Sequence, residues 1–147
     1  MVDRPNLTDL TWEISGDPAR ADVEAVHAGL DGFNRAAVDL AAVRPLGCFA
    51  RLPSGRCVGG AIARTWGGCC EIMQLWVDQA HRDKGLGSQL VRLVEDEARA
   101  RGCLLVHLDT FSFQAPGFYR RLGYDVAWVV EGFPDGITRF FLRKRLG

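Results

Sequence analysis

The sequence predicts a mixed α/β fold of the α+β kind, in which helices flank a mostly antiparallel central sheet of about six to seven strands. Two observations carry this prediction. Three short strand patterns follow one another around polar turns in the middle of the chain, and amphipathic helix patterns alternate with apolar runs after them. The 147 residues are enough for one buried core, so we expect a single domain over residues 1–147.

The first third of the chain is predicted to contain a strand followed by helices. Residues 7–15 fit a first strand, and Asp17 and Pro18 fit the N-cap and the first position of a helix. Apolar residues then recur every three or four positions, which is typical of a helix face. Gly29 and Gly32 interrupt this face, so we expect two helices here rather than one.

The middle of the chain has the period of strands. Residues 47–52, 57–66 and 69–78 predict three consecutive antiparallel strands, because polar turns at residues 53–56 and 67–68 separate them.

The second half combines helices and strands. Residues 85–102 predict an amphipathic helix, and the apolar run 103–108 lacks alternation, as a central strand buried on both faces does. A short helix is predicted to begin at Pro116. Residues 124–132 and 137–142 are expected to be the two closing strands.

Composition excludes several classes of function. Lys plus Arg and Asp plus Glu are equal at 18 each, so no overall basic field exists to hold nucleic acid or an anionic membrane. No apolar run approaches the roughly 20 residues of a bilayer span, and residues 1–9 lack the apolar stretch of a secretory signal. We expect a cytoplasmic protein that acts on small molecules or peptides, and leave open whether it forms a homodimer. The five cysteines contain no CxxC pair, so we expect reduced thiols without a metal site.

The most informative segment, residues 75–88, runs from a strand through a glycine-containing turn into a helix. A helix N-terminus presents unpaired N–H groups and about half a positive charge, so it can hold a pyrophosphate. Gly85 and Gly87 would allow close approach, while Arg82 and Lys84 add cations. Taken alone, Arg-x-x-Gly-x-Gly is a weak signal, because cations near turns are common on any protein surface.

In this context the segment resembles the coenzyme A motif of the GNAT superfamily of N-acetyltransferases, a strand followed by Arg/Gln-x-x-Gly-x-Gly/Ala at a helix start. Residues 114–124 resemble a second GNAT pattern, Asn-x-x-Ala-x-x-x-Tyr-x-x-x-Gly-Phe. The likeness extends from residue 46 to the C-terminus and is to a bacterial subgroup of unassigned substrate. It implies a GNAT-like sheet and an acyltransferase that uses acetyl-CoA without a metal. Direct attack by a primary amine of a small molecule or peptide in a ternary complex is also implied.

The resemblance further implies which residues contact the coenzyme. They comprise the end of the strand, the turn with the helix start, and two residues of the second pattern. These are Leu75, Trp76, Val77, Arg82, Asp83, Lys84, Gly85, Leu86, Gly87, Ser88, Gln114 and Tyr119.

Two side chains are candidates for proton transfer. The family pattern matches Tyr119 to the general acid that protonates the leaving thiolate, and a phenol of pKa near 10 keeps its proton at pH 7. The alternative is that Tyr119 only packs beside Phe118. Some GNAT enzymes have a catalytic glutamate at the position of Glu71, and period-two counting places this residue on the same face as Leu75 and Val77. The alternative for Glu71 is a solvated carboxylate at the start of a strand.

Two other functions fit part of the pattern. A nucleotide-dependent oxidoreductase is suggested by Gly85-x-Gly87 and by Asp109 roughly twenty residues later, but Leu90 replaces the third glycine. A non-catalytic acyl-CoA sensor would keep the turn and transfer nothing, which leaves Tyr119 unexplained. The acceptor amine is not encoded in the coenzyme motif.

Overall fold

A computed structural model describes residues 7–147. The prediction that the N-terminus is not a secretory signal falls mainly on residues 1–6, outside the described part. The chain divides into two compact units, Met1–Leu40 and Ala41–Gly147. Nowhere along residues 7–147 is a helix both long and apolar enough to cross a membrane.

The first unit contains one long helix, α1, Arg20–Ala37. The predicted strand over residues 7–15 is wrong, because a 3-10 turn spans Leu7–Asp9 and irregular chain follows it. An alternating pattern forms a strand only where a neighbour completes its backbone hydrogen bonds. The six-stranded sheet of the second unit includes none of these residues.

The helix boundaries also differ from the prediction. The N-cap of α1 is Ala19, two residues after the predicted cap at Asp17. The expected break at Gly29 and Gly32 is wrong, since α1 continues through both. Neither glycine has a positive φ, and a helical glycine costs only about 1 kcal/mol relative to alanine.

The second unit is built on a six-stranded sheet of order β1-β2-β3-β4-β6-β5. The strands are β1 Arg44–Arg51, β2 Cys57–Trp66, β3 Cys69–Val77, β4 Leu105–Phe111, β5 Asp125–Val130 and β6 Arg139–Arg145. All neighbouring pairs are antiparallel except β3 and β4, which are parallel. The predicted fold class, a mixed and mostly antiparallel sheet with flanking helices, is confirmed with six strands.

Two helices connect the strands of this unit. The parallel β3–β4 pair requires a crossover, and α2, Leu86–Ala100, provides it. A shorter helix, α3, Pro116–Arg121, lies between β4 and β5 and begins at the predicted proline. The apolar face of α2 packs against the sheet, and together they form the core. Its buried members include Ala61, Cys70, Ile72, Val91, Val94, Val106, Leu108 and Leu142.

The parallel pair is unusually short. Pairing of β3 and β4 covers only Cys69–Glu71 and Leu105–His107, after which both strands continue without pairing to each other. A β-bulge at Met73 lies just beyond this point, since Ile72 and Gln74 pair with consecutive residues of β2. Bulges bend a strand and increase its twist. The ends of β3 and β4 therefore separate and leave a gap in the sheet.

A buried ion pair joins α2 to β6. Glu95 of α2 is 3% exposed, and Lys144 Nζ donates to both of its carboxylate oxygens at 2.9 Å. The Tyr124 hydroxyl donates to Glu95 Oε1 at 3.0 Å. A buried carboxylate is stable only when paired and hydrogen-bonded, so these contacts compensate for its loss of hydration.

We predict that Lys144→Met lowers the free energy of unfolding by about 3 kcal/mol, because it removes the cation that binds both oxygens of the buried Glu95 and leaves only the half-exposed Arg99, 3.9 Å from Oε2. Urea denaturation followed by circular dichroism measures this difference. Glu24→Gln is the matched control, since it breaks the exposed Arg20–Glu24 pair on α1 and should cost less than about 0.5 kcal/mol. Equal, small losses in both variants would contradict a structural role for the buried pair.

Candidate functional site

The turn after β3 places a helix N-terminus beside the gap in the sheet. Gly85 caps α2 with φ 79° and ψ 6°, a left-handed conformation that glycine adopts without strain. No side chain caps the helix, and its first backbone hydrogen bond runs from the Gln89 N–H to the Gly85 carbonyl. The N–H groups of Leu86, Gly87 and Ser88 precede that bond and are available to a ligand.

Three cationic side chains border this helix end. Arg82 Nε donates to the Val77 carbonyl at 3.0 Å, and Lys84 Nζ donates to the Ala80 carbonyl at 3.3 Å. Neither cation is paired with a carboxylate of the described chain, and the same holds for Arg121 of α3. Their charges are therefore not neutralised by any carboxylate of residues 7–147 and add to the positive end of the helix.

A cleft of about 790 Å³ leads from the end of β3 over the N-terminus of α2 to α3. Its lining consists of Leu75, Trp76, Val77, His81, Arg82, Asp83, Gly85, Leu86, Gly87, Ser88, Phe113, Gln114, Ala115, Phe118 and Arg121. This set includes every predicted coenzyme contact except Lys84 and Tyr119.

A smaller cavity of about 240 Å³ lies where β3 and β4 separate. It is lined by Ile72, Met73, Gln74, Leu75, Asp109, Thr110, Gln114, Ala115 and Tyr119. The cavity and the cleft share Leu75, Gln114 and Ala115, so they adjoin.

Tyr119 forms one wall of the cavity. Its buried ring packs edge to face on Phe118 and Tyr124, with centroid distances of 5.0 and 5.7 Å. The hydroxyl has no hydrogen-bond partner in residues 7–147, yet no side-chain polar atom there is both fully enclosed and unpaired. The hydroxyl must therefore be accessible, and the cavity is the space that Tyr119 lines. Burial raises the pKa of Tyr119 to about 12, so the phenol is protonated at neutral pH.

Gln114 is fixed at the junction of cleft and cavity. Its side-chain oxygen accepts a hydrogen bond from the Phe111 N–H at 2.8 Å and another from the Thr110 hydroxyl at 3.3 Å. These bonds orient the amide and leave its NH₂ group available for donation.

Glu71 lies outside this arrangement. It is absent from the cavity lining, and its Oε2 accepts from Arg64 Nε and Nη2 at 2.7 and 2.6 Å. The predicted common face with Leu75 and Val77 is wrong, because the bulge at Met73 adds one residue and reverses the alternation. Residues 70 and 72 face the core before the bulge, and residues 75 and 77 do so after it.

Several site residues were not predicted. His81, Phe113, Phe118 and Arg121 line the cleft, and Asp109 lines the cavity. Phe118 and Arg121 lie three positions apart and so share a face of α3, but neither shares a face with Tyr119, so periodicity counted from Tyr119 did not identify them. His81 precedes Arg82 in the turn after β3, whereas the place of Asp109 depends on the separation of β3 and β4, which leaves no local pattern.

Gly87 has a packing role in addition to its predicted one. A Cβ at this position would lie 3.3 Å from Phe118 Cζ and 3.8 Å from Val77 Cγ2. The glycine therefore permits α2 and α3 to approach each other at the floor of the cleft.

Metal-binding features are absent from the described residues. No group of three His, Cys, Asp or Glu side chains is arranged to hold a metal ion there, and all five cysteines are free thiols.

Comparison with known proteins gives a consistent result. The model of the acetyltransferase (GNAT) family matches residues 9–124. A blasticidin-S acetyltransferase from Streptomyces morookaense is 38% identical over 107 residues, which cover 70% of this chain and 79% of that protein. Acetyltransferase Atu2258 from Agrobacterium fabrum is 29% identical over 133 residues, or 90% of this chain and 97% of that protein. A crystal structure of an acetyltransferase from Bacillus cereus superposes with a TM-score of 0.76 at 31% identity, covering 91% of this chain and 98% of the other.

The two tyrosines of the chain, Tyr119 and Tyr124, provide a test of the site's burial. Burial raises the pKa of both phenols, and the adjacent Glu95 carboxylate adds to the effect on Tyr124. We expect little tyrosinate absorbance at 295 nm from the native protein at about pH 11, whereas the guanidinium-unfolded chain should be mostly ionised. Because ionisation favours the unfolded chain, stability should fall as pH rises above about 10.

Tyr124→Phe leaves Tyr119 as the one phenol of the chain. In the native variant the titration midpoint of Tyr119 should lie near 12, and far-UV circular dichroism checks that the fold persists. A midpoint near 10 in the folded variant would mean that Tyr119 is not buried.

Proposed function

The chain belongs to the acetyltransferase (GNAT) family, and from this premise we propose that the cleft holds coenzyme A while the adjoining cavity receives the acceptor amine. The protein is an acetyl-CoA-dependent N-acetyltransferase. The observation that carries the proposal is the junction itself, where a cationic cleft meets a cavity that Tyr119 lines.

The features of the cleft fit the anionic end of the coenzyme. Three N–H groups at the start of α2 would bind the pyrophosphate, and the cations of Arg82, Lys84 and Arg121 would neutralise its charge. Beyond Glu71 the β4-facing edge of β3 is unpaired, so its backbone can pair with the amides of the pantetheine arm. Gln114 lies at the inner end of the cleft and can donate to the same arm.

Tyr119 has the properties of the proposed general acid. Acetyl-CoA supplies an activated acetyl group as a thioester, and transfer requires stabilisation of the departing sulfur. Burial keeps the Tyr119 phenol neutral, and its accessible hydroxyl can donate a hydrogen bond and a proton to that sulfur. The Phe118 and Tyr124 rings restrict the orientation of the phenol.

Glu71 is the proposed general base, and its position means that it can act only indirectly, through a water molecule. Its carboxylate is held by Arg64 and lies outside the cavity lining. It could receive the proton of the acceptor only through water. We therefore expect a smaller contribution from Glu71 than from Tyr119.

The acceptor is proposed to be a primary amine of a small molecule or peptide, attacked in a ternary complex. The relative from S. morookaense is a blasticidin-S acetyltransferase by name, which makes blasticidin S the first compound to test. The experiment measures thiol release from acetyl-CoA in the presence of blasticidin S, aminoglycosides, polyamines, amino acids and peptides, with mass spectrometry of the products. Binding of acetyl-CoA without transfer to any amine would favour the non-catalytic sensor.

We predict that acetyl-CoA raises the melting temperature of the wild-type protein, whereas NAD at equal concentration does not. Gly87→Glu should remove the acetyl-CoA shift, because the new carboxylate lies at the helix N-terminus and repels the pyrophosphate. Far-UV circular dichroism of the variant checks its fold, because a Cβ at residue 87 would lie 3.3 Å from Phe118 Cζ.

Gly68→Glu is the matched control for this prediction. It introduces the same side chain in the β2–β3 turn, where a Cβ has no neighbour within 4 Å. This variant should keep the full acetyl-CoA shift. If Gly87→Glu also kept it, the phosphate site would lie elsewhere.

We further predict that Tyr119→Phe lowers kcat by roughly 10²–10⁴-fold, the usual contribution of a positioned general acid. The KM for acetyl-CoA should change little, because the ring and its packing remain. Glu71→Gln, in comparison, should lower kcat mainly at lower pH, where more of the acceptor amine is protonated. If Tyr119→Phe had the wild-type kcat, and single-turnover experiments showed that the chemical step limits the rate, the general-acid assignment would be wrong and Tyr119 would only contribute packing.

A further inference from the structure

The cavity between β3 and β4 has an uneven charge. Asp109 is the one carboxylate in its described lining, and no cationic side chain lies there. The remaining lining residues are neutral or apolar. A cation that enters the cavity would thus meet one carboxylate at its wall, whose charge is shared with Arg139 on the side away from the lining.

Only one of the two carboxylate oxygens of Asp109 is bound by a residue of the described chain. Arg139 of β6 contacts a single carboxylate oxygen, Oδ2, with its Nη2 at 2.7 Å and its Nε at 2.8 Å. The other oxygen, Oδ1, has no partner within the described part of the chain. The side chain is 35% exposed, so Oδ1 can accept a hydrogen bond from a ligand.

Arg139 itself is held in place on two sides. Its guanidinium carbon lies 5.5 Å from the centroid of the Phe111 ring and 5.1 Å from that of Phe141. Cation–π contacts and the ion pair together restrict the guanidinium. Asp109 is therefore a fixed anion rather than a mobile surface carboxylate.

We propose that Asp109 anchors a second cationic group of the acceptor, so that the preferred acceptors are small diamines or amines with another basic group. This inference rests on the proposed function of the cavity. The anchored group is not the nucleophile, because a carboxylate stabilises the ammonium form, which cannot attack the thioester. One basic group binds Asp109 as an ammonium; the other passes its proton through water to Glu71, the proposed base, and then reacts beside Tyr119.

The size of the cavity agrees with this assignment. Its volume of about 240 Å³ is below the roughly 300–1,000 Å³ of pockets that enclose a whole drug-sized ligand. It accommodates one amine-bearing arm of a larger acceptor, or a short diamine.

Three amines of equal chain length test the proposal. 1,4-Diaminobutane, butylamine and 4-aminobutanoate offer the same nucleophile with a positive, neutral or negative far end. The wild-type kcat/KM should follow that order. Asp109→Asn should lower kcat/KM for 1,4-diaminobutane about 10- to 100-fold, the effect of losing one charged hydrogen bond, and change the value for butylamine little. The KM for acetyl-CoA should stay the same.

Two further variants separate binding from a structural role. Asp96→Asn removes the carboxylate of another Asp–Arg pair, Asp96 with Arg99 on α2, and should leave all three amines unaffected. Arg139→Gln removes the partner of Asp109 but keeps its charge, so the preference for the diamine should persist. Loss of the preference in Arg139→Gln, or its retention in Asp109→Asn, would overturn the proposal.

Failure of this inference is distinct from failure of the proposed function. If the wild-type kcat/KM for butylamine equalled that for 1,4-diaminobutane, the role of Asp109 as an anchor would be wrong, whereas the proposed acetyl transfer would still be supported. If none of the three amines were acetylated, calorimetry with 1,4-diaminobutane on the coenzyme A-saturated protein would decide. Binding that Asp109→Asn abolishes supports the anchor, and no binding overturns it. Absence of acetyl-CoA binding would instead count against the cleft.

Discussion

The early end of pairing between β3 and β4 is the constraint on which the site depends. The two strands pair through three residues each, and the bulge at Met73 then bends β3 away. This leaves backbone N–H and C=O groups on facing strand edges without partners in the sheet. Such groups require hydrogen bonds from another source, and a ligand with its own amides can provide them. The break in the sheet thus creates both a space and a reason for a ligand to occupy it.

The helices around this break connect the site to the core. The N-terminus of α2 borders the cleft, while Glu95, further along the same helix, is bound to Lys144 and to the Tyr124 hydroxyl. Tyr124 in turn packs against the ring of Tyr119. The residue proposed as general acid is therefore oriented by a core contact, so that its position follows from packing rather than from the flexibility of a loop.

Sequence reasoning succeeded where the signal was local. The three central strands, α2 and the start of α3 follow from periodicity and turn residues, and the glycine turn follows from its position between a strand and a helix. It failed where the outcome depends on a distant partner. The segment before α1 alternates but is not part of the described sheet, and one extra residue at Met73 moves Glu71 to the other face of β3. Asp109 could not be assigned to the cavity because the strand separation that exposes it is not visible in β4 alone.

The zero net charge of the chain conceals an uneven local distribution of charged groups around the cleft and the cavity. Unit charges about 4 Å apart interact by roughly 1 kcal/mol in water but about 4 kcal/mol at an effective dielectric constant near 20. Charges that line a cleft therefore matter more than the total over the surface. The cleft has cations without carboxylate partners, whereas the cavity has a carboxylate with one unbonded oxygen. In the proposed function, the cations favour the anionic coenzyme in the cleft, and the open oxygen of Asp109 favours a cationic group of the acceptor in the cavity, on the two sides of Tyr119.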